Sequence, residues 1–214
     1  MSNVLDRPPV VVFFGTYSIL SSVPLRVLID SGVHVAAVIV PVSPLLRKRT
    51  TVVDISSQIP IDSDTRVASG VDGDSQGELV PLIAQRYKIP LLEVGRLAAE
   101  ETHEILASFA ADFFCVSCFP WRIPPKLLAL PSQSALNVHP SLLPANRGPD
   151  PLFWVFRNGD VETGVTVHSM NDVFDGGDIV MHQAIPVENG ITEASLRRLC
   201  ADAGGRLLLE SITR

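Results

Sequence analysis

The sequence predicts an α/β protein with an open, doubly wound and mostly parallel sheet and an antiparallel strand pair near the C-terminus. Two observations carry this prediction. Apolar runs of strand length alternate with amphipathic stretches of helix length along much of the chain. After Pro140 the alternation changes, and two strand-like runs follow each other with no helix pattern between them.

The first unit begins with the apolar run Val10–Phe14, which ends at Gly15 and Thr16. The spacing of apolar residues from Leu20 to Leu28 then indicates a helix closed at Gly32, and Val35–Val40 is a second apolar strand. Two buried strands around one helix predict a βαβ unit, with a right-handed crossover and parallel strands.

Later segments repeat this alternation. Strands are predicted at Leu91–Val94, Phe113–Phe119 and Ala135–His139, and helices at about Glu78–Tyr87 and Leu97–Phe109. In such sheets ligands bind outside the carboxyl ends of the strands, which is where His139 falls.

The C-terminal part reads differently. Pro151–Arg157 is predicted as a short amphipathic helix, Glu162–Met170 and Ile179–Val187 as an antiparallel pair, and Thr192–Ile212 as a closing helix capped at Thr192. The segment from Pro41 to about Gly77 has little periodicity and is predicted as a long loop.

Composition limits the function classes. With 214 residues, of which 46% are hydrophobic, residues 1–214 are expected to form a single domain with a sizeable core. The net charge of -6 disfavours general binding of nucleic acid. No apolar stretch reaches the roughly 18 to 20 residues that span a bilayer, and the N-terminus lacks a signal-peptide pattern, so we expect a cytoplasmic protein without membrane contact.

The three cysteines, Cys115, Cys118 and Cys200, form no disulfide framework. Cys115 and Cys118 have Cys-x-x-Cys spacing, but they fall inside the predicted strand Phe113–Phe119, so we interpret both as buried structural residues on opposite faces. A zinc site would need further ligands nearby, and the sequence predicts no metal site.

The richest part of the chain for chemistry is Asn137 to Asp178. Asn137 and His139, two residues apart, share one strand face, and Asp175 lies in a Phe-Asp-Gly-Gly turn. An amide that donates to an oxyanion, an imidazole that moves a proton and a carboxylate that orients them suit acyl transfer. The simpler interpretations are an asparagine that caps a strand end, a turn-forming aspartate and an ordinary polar histidine.

Four short motifs follow one another along this part of the chain. They are Asn-x-His-x-Ser-Leu-Leu-Pro from Asn137, Arg147-Gly148, Glu162 to Thr166 and the Asp175 turn. In this conjunction the chain resembles the folate-dependent formyltransferases, which include the N-terminal catalytic domain of methionyl-tRNA formyltransferase and sugar-amine N-formyltransferases. The resemblance implies a Rossmann-like formyltransferase fold, 10-formyltetrahydrofolate as co-substrate and catalytic roles for Asn137, His139 and Asp175.

The resemblance also places the donor pocket. It implies that the pterin ring lies between the loop after the strand that precedes the Asn strand and the loop that carries Asp175. The donor-binding residues expected there are Phe119, Trp121, Ile123, Asp172 and Val173. For the two aromatic rings, ordinary apolar packing is the alternative.

The acceptor is the open question. We expect a primary amine on a small molecule, for example an amino sugar attached to a nucleotide. In the family, methionyl-tRNA formyltransferases contact tRNA with a basic loop and carry a C-terminal β-barrel domain. Here the basic cluster is Arg47-Lys48-Arg49 and no barrel is expected, so a tRNA partner is possible but not favoured.

Alternatives to the small-molecule transferase are a methionyl-tRNA or glycinamide ribonucleotide formyltransferase, a formyltetrahydrofolate hydrolase and an inactive folate-binding module. The first βα turn, Phe14-Gly15-Thr16-Tyr17, disfavours the glycinamide ribonucleotide enzyme by resemblance, and it lacks the glycines of a dinucleotide-binding turn. His34, His103, His168 and His182 are interpreted as ordinary polar residues.

Overall fold

A computed structural model describes residues 7–43, 51–57 and 79–214. The strands are β1 (Val10–Phe14), β2 (His34–Pro41), β3 (Val52–Asp54), β4 (Leu91–Val94), β5 (Phe113–Ser117), β6 (Ser134–His139), β7 (Glu162–Ser169) and β8 (Ile179–Pro186). The helices are α1 (Ile19–Asp30), α2 (Val80–Arg86), α3 (Glu100–Ser108), α4 (Pro125–Leu128), α5 (Pro151–Asn158) and α6 (Glu193–Thr213).

The described strands form one sheet in the order β3-β4-β2-β1-β5-β6-β7-β8. The central strands β4, β2, β1, β5 and β6 are parallel. At one edge β3 is antiparallel to β4, and at the other β7 is antiparallel to both β6 and β8. The predicted mostly parallel sheet with an antiparallel C-terminal pair is confirmed.

Helices cover both faces of the sheet. One apolar core joins the sheet to α1, α2 and α6 through buried residues such as Leu25, Ile83 and Leu208. The other core lies under α3 and α4, with Leu106 and Leu127 buried against the opposite face. The chain passes from β4 back across β1 to β5, so the strand order reverses beside β1. Crevices at such reversals open at the carboxyl ends of the strands.

Two adjacent glycines let α6 approach its neighbours closely. A Cβ at Gly204 would lie 2.7 Å from Val138 Cγ1 on β6, and one at Gly205 would lie 2.8 Å from Val27 Cγ2 on α1. Contacts this short do not occur between real side chains, so the glycines set the depth at which α6 packs. The start of α6 thereby reaches the carboxyl edge of the sheet.

The largest correction concerns the end of β5. The sequence predicted a strand from Phe113 to Phe119, but β5 ends at Ser117 and Cys118 adopts a φ of 60°. Cys115 is buried as expected, whereas Cys118 is exposed, so its interpretation as a buried strand cysteine is wrong. A left-handed residue turns the chain out of the sheet and starts the loop toward Phe119.

Smaller differences concern elements that were not predicted and the residue at which a helix begins. The strand β3 lies within the segment that was predicted to be a loop, and α4 was not predicted. The helix α3 starts at Glu100, after Leu97 has packed into the core beneath it. The predicted cap of α6 is confirmed, because the Thr192 hydroxyl accepts a hydrogen bond from the Ser195 N–H at 3.1 Å.

Some predictions fall outside the described residues. The basic cluster Arg47-Lys48-Arg49, the first helical residue expected at Glu78 and most of the predicted loop 41 to 77 lie there. No helix in the part of the chain that is described combines the length and apolar character needed to cross a membrane.

Candidate active site

The strand β6 carries Asn137 and His139 at its carboxyl end. Their spacing of two residues places both side chains on the same face, as predicted. His139 is buried, with 5% of its surface exposed, and Asn137 is partly buried. Both side chains line one cavity at the edge of the sheet.

The Asp175 carboxylate joins these two side chains. Its Oδ1 accepts a long hydrogen bond of 3.4 Å from Asn137 Nδ2, and its Oδ2 lies 3.7 Å from His139 Nδ1. The backbone N–H of Gly148 donates to Oδ2 at 2.8 Å. The structure therefore brings together the three residues expected to be catalytic. Asn137 and His139 come from β6, and Asp175 comes from the turn between β7 and β8.

The turn that carries Asp175 needs glycine at both of the positions that follow, 176 and 177. Asp175 itself has a φ of 46°, in the left-handed region. A Cβ at Gly177 would lie 1.8 Å from the Ser169 carbonyl oxygen, and one at Gly176 would meet Val173 Cγ1 at 2.6 Å. The Gly-Gly pair thus permits the turn to press against the end of β7 and aim the carboxylate inward.

His168 is a site residue that sequence reasoning missed. It lies on β7 directly opposite Asn137, and its Nε2 is 3.1 Å from Asn137 Nδ2 and 3.5 Å from Asp175 Oδ1. Its position two residues after Thr166, in the strand that carries the Glu162 to Thr166 motif, was the available signal. The signal was weak because the register between β6 and β7 is set by long-range pairing.

The protonation of His139 follows from its surroundings. Its Nε2 is 2.9 Å from the Asn146 carbonyl oxygen, which can only accept, so Nε2 carries a proton. Burial lowers the pKa of His139, although Asp175 and the Asn146 carbonyl act in the opposite direction. In the neutral ring Nδ1 therefore bears a lone pair beside Asp175, which suits a proton acceptor.

Asp175 is held as a carboxylate. Burial by itself would raise its pKa, but the surrounding polar groups, among which the Gly148 N–H donates directly to Oδ2, outweigh burial, and the pKa lies below its ordinary value. At neutral pH the site thus contains one buried negative charge beside a neutral His139. That arrangement can accept and pass on a proton while the charge of Asp175 stabilises a protonated imidazole.

The strand end is braced by polar contacts below the site. The Thr166 hydroxyl donates to the Ser141 carbonyl at 2.7 Å and accepts from the Leu143 N–H at 3.1 Å. Gly164 permits the same chain segment to pack closely, since a Cβ there would lie 2.6 Å from Leu142 Cδ2. The Ser-Leu-Leu-Pro stretch after His139 is therefore fixed against β7.

A narrow cavity of about 60 Å³ opens on one side of Asn137 and Asp175. Four of the five predicted donor-binding residues line it: Phe119, Trp121, Ile123 and Val173. Asp172 does not line it, and instead its carbonyl oxygen accepts a hydrogen bond from the Arg122 guanidinium, which joins the two loops around the cavity.

The aromatic wall of this cavity is continuous with the core. Phe119 packs edge-on against Phe14 of β1 at a centroid distance of 5.5 Å and against Trp121 at 5.7 Å. Rings packed in this way are held rigidly. The wall is therefore preformed, with the Phe14 ring buried and Phe119 and Trp121 partly exposed.

A second cavity of about 560 Å³ opens on the other side of the same residues. Its walls are largely apolar and include Leu20, Phe119, Pro120, Pro140, Pro149 and Leu152. Its charged lining residues are Asp150, Asp175 and Arg197. Asn137, Phe119, Phe174 and Asp175 line both cavities, so two ligands bound on the two sides would meet at the polar centre.

Within the described ranges no group of three or more His, Cys, Asp or Glu side chains is arranged to bind a metal ion. The polar centre instead offers one amide donor, one neutral imidazole and one carboxylate between two cavities. An α/β sheet with such a polar centre between two cavities at its carboxyl edge is typical of proteins that bring two ligands together.

A family model described as formyl transferase matches residues 10–212. The chain therefore belongs to the formyl transferase family, and the resemblance seen in the sequence is confirmed. Its sequence relatives include a methionyl-tRNA formyltransferase of Geobacillus thermodenitrificans, 31% identical over 207 residues, which are 94% of this chain and 56% of the relative. One from Nitrosomonas europaea is 34% identical over 138 residues, 64% of this chain and 43% of the relative.

Solved structures show the same fold. A glycinamide ribonucleotide transformylase from Symbiobacterium toebii superposes with a TM-score of 0.71 at 20% identity, covering 99% of this chain and 92% of that one. A formyltetrahydrofolate deformylase from Pseudomonas syringae gives 0.69 at 17% identity, covering 97% and 61%. The chain spans about half the length of the curated relatives it matches.

Proposed function

We propose that the protein transfers a formyl group from 10-formyltetrahydrofolate to a primary amine of a small molecule, with an amino sugar attached to a nucleotide as the first acceptor class to test. The observation that supports this most is the meeting of two unlike cavities at Asn137 and Asp175. A one-substrate binding module has no need of two cavities that share a polar centre.

The residues around the narrow cavity fit the folate donor. Phe119 and Trp121 offer aromatic surface to a flat ring, and Ile123 and Val173 close it with apolar contacts. When bound, the donor supplies the formyl carbon, whose bond to a folate nitrogen breaks as the bond to the acceptor amine forms. The role of the protein is to hold both reactants at the shared residues.

Each polar residue then has a task at a stated atom. Asn137 Nδ2 donates to the carbonyl oxygen of the formyl group as negative charge grows there. His139 Nδ1, with its lone pair, accepts the proton that the amine loses and passes it toward the leaving nitrogen. Asp175, held by the Gly148 N–H, balances the positive charge that the His139 ring acquires when Nδ1 takes up the proton.

A second candidate is formyl transfer to methionyl-tRNA. The observation that favours it is that both sequence relatives described above are methionyl-tRNA formyltransferases, each of which is about twice as long as the matched segment. The wide and open second cavity is compatible with an aminoacyl group as well as with a sugar amine. The two candidates share the donor and the polar centre and differ only in the acceptor.

One assay separates the possibilities. Purified protein is incubated with 10-formyltetrahydrofolate, alone and with a panel of amines that includes nucleotide-linked amino sugars and methionyl-tRNA, and tetrahydrofolate release is followed. Release that depends on one amine class supports transfer and identifies that class. Release without any amine supports a hydrolase, and donor binding without release shows an inactive module, which contradicts the proposal.

A further inference from the structure

His168 contributes two ring nitrogens to the site, and each faces a different kind of partner. Its side chain is buried, with 3% of its surface exposed. Nδ1 lies 2.8 Å from the carbonyl oxygen of Ser169, and Nε2 lies 3.1 Å from Asn137 Nδ2. Nε2 is also 3.5 Å from Asp175 Oδ1.

These contacts determine which nitrogen carries the proton. A carbonyl oxygen only accepts hydrogen bonds, so at 2.8 Å from the Ser169 oxygen Nδ1 must be protonated. In the neutral ring Nε2 is then unprotonated and acts as an acceptor. If the neutral ring carried its proton on Nε2 instead, the lone pair of Nδ1 would face a lone pair of the Ser169 carbonyl oxygen at 2.8 Å, which is repulsive.

The same argument fixes the orientation of the Asn137 amide. Two acceptors, His168 Nε2 and Asp175 Oδ1, lie within 3.5 Å of its terminal atom, at 3.1 Å and 3.4 Å. An NH2 group satisfies both with its two hydrogens, whereas a carbonyl oxygen in that position would oppose both. The NH2 group therefore faces the site.

We propose that His168 is a positioning residue for formyl transfer: as the Nδ1-protonated tautomer, it accepts one N–H of Asn137 and keeps the other N–H aimed at the formyl oxygen. This inference rests on the proposed function. On substrate binding, the second N–H leaves its long contact with Asp175 for the substrate oxygen, while the contact with His168 remains. Without His168 the Asn137 amide is free to rotate and present its oxygen to the growing negative charge.

Two substitutions separate positioning from a merely structural role. In His168→Gln the terminal amide reaches the place of Nε2 and offers Asn137 an acceptor. In His168→Asn the shorter side chain reaches the place of Nδ1, so it preserves the bond to the Ser169 carbonyl but offers Asn137 nothing. A residue that only anchors β7 is rescued by asparagine, and one that orients Asn137 is rescued by glutamine.

We expect kcat of His168→Asn to fall about 10- to 100-fold with the KM of donor and acceptor nearly unchanged, because a misplaced catalytic group costs rate rather than binding. His168→Gln is expected to remain within about fivefold of wild type. Thermal unfolding of both variants checks that they are folded. Equal rates in the two folded variants, or faster turnover by the asparagine variant, would overturn the proposal.

A spectroscopic test on the wild-type protein does not depend on turnover. Long-range nitrogen–proton NMR spectra in mildly alkaline buffer distinguish protonated from unprotonated ring nitrogens, and the His168 signals are identified by their absence from both variants. The expected pattern is a protonated Nδ1 and an unprotonated Nε2. A protonated Nε2 contradicts the inference even where formyl transfer is found, and the expected pattern in a protein without transfer activity rejects the proposed function instead.

Discussion

The two cavities that meet at Asp175 differ in size and in how they are closed. The narrow cavity, which we propose for the donor, has an aromatic wall that continues into the core at Phe14, and the Arg122 guanidinium joins the two loops around it. The wide cavity, which we propose for the acceptor, is about 560 Å³ and is lined by prolines and aliphatic side chains, with Arg197 as its cationic group. A rigid slot suits one invariant ligand, and a wide apolar cavity suits ligands that differ outside the reacting amine.

This contrast separates chemistry from specificity within one site. The polar centre is built on the strand ends of β6 and β7 and on the Asp175 turn, which hydrogen bonds brace, so its geometry is preorganised. The wide cavity is lined in part by Leu152 of α5 and Arg197 of α6, which belong to other elements than the Asp175 turn. Substitutions on the two sides should consequently have different kinetic signatures.

The largest effect is expected where both cavities meet. Asp175→Asn removes the charge that stabilises protonated His139, and we expect kcat to fall about 10²- to 10⁴-fold, the usual range for loss of proton-transfer catalysis. Single-turnover formyl transfer measures it. Asp178→Asn is the matched control, because Asp178 is exposed and contacts Ser169 through its backbone. Activity of Asp175→Asn near that of the control would contradict the site assignment.

Asn137→Ala should be next in size. Loss of a donor to a developing oxyanion typically costs about 10²- to 10³-fold in kcat, with little change in KM. Steady-state kinetics with both substrates varied show which parameter moves. Asn158→Ala, on the exposed end of α5, serves as the control. An effect confined to the KM of the donor would show that Asn137 belongs to the donor slot and not to the shared centre.

On the donor side, Trp121→Ala is expected to raise the KM for 10-formyltetrahydrofolate about tenfold, because an aromatic contact is worth roughly 1 to 1.5 kcal/mol. The acceptor KM should stay the same. Trp154→Ala is the control, since Trp154 is exposed on α5 and contacts Phe153. If the two tryptophan variants bind the donor equally well, the narrow cavity is not the donor slot.

On the acceptor side, Arg197→Ala should raise the KM about three- to tenfold for acceptors that carry an anionic group, a modest effect because the guanidinium is partly exposed and already paired with Glu193. Donor binding should not change. Arg198→Ala, which breaks the neighbouring pair with Asp202 on the same helix, provides the comparison. A loss of donor affinity in Arg197→Ala would remove the distinction between the two sides.

The smallest expected effect is a shift in the pH dependence of kcat/KM. His139 must be neutral to accept a proton, and burial lowers its pKa below the ordinary value of 6.5. The acid limb of kcat/KM should therefore lie below that value, with activity rising as pH increases through it. The pH–rate profile of wild type measures this, and His139→Gln should lose the limb. A limb above the ordinary value would indicate that Asp175 outweighs burial.

Much of the polar centre could be predicted from the sequence. Asn137 and His139 share a face because strand geometry alternates side chains, and their place at a strand end follows from the local apolar pattern. Phe119, Trp121, Ile123 and Val173, which were named by resemblance and not from the residue pattern, line the narrow cavity, and their role in donor binding stays a prediction. Cys118 was misplaced, since nothing local showed that the strand ends at Ser117, two residues before its predicted end at Phe119.

The sequence by itself determined the alternation of strands and helices, the strand end that carries Asn137 and His139, and the glycine turn at Asp175. The tertiary structure decided that His168 lies opposite Asn137, that the Gly148 N–H donates to Asp175, and that residues of α5 and α6 help to line the wide cavity. The physical reason is the sequence separation over which each kind of interaction acts. Periodicity and turn preferences act over a few residues, whereas strand register and cavity walls depend on packing between segments far apart in the chain.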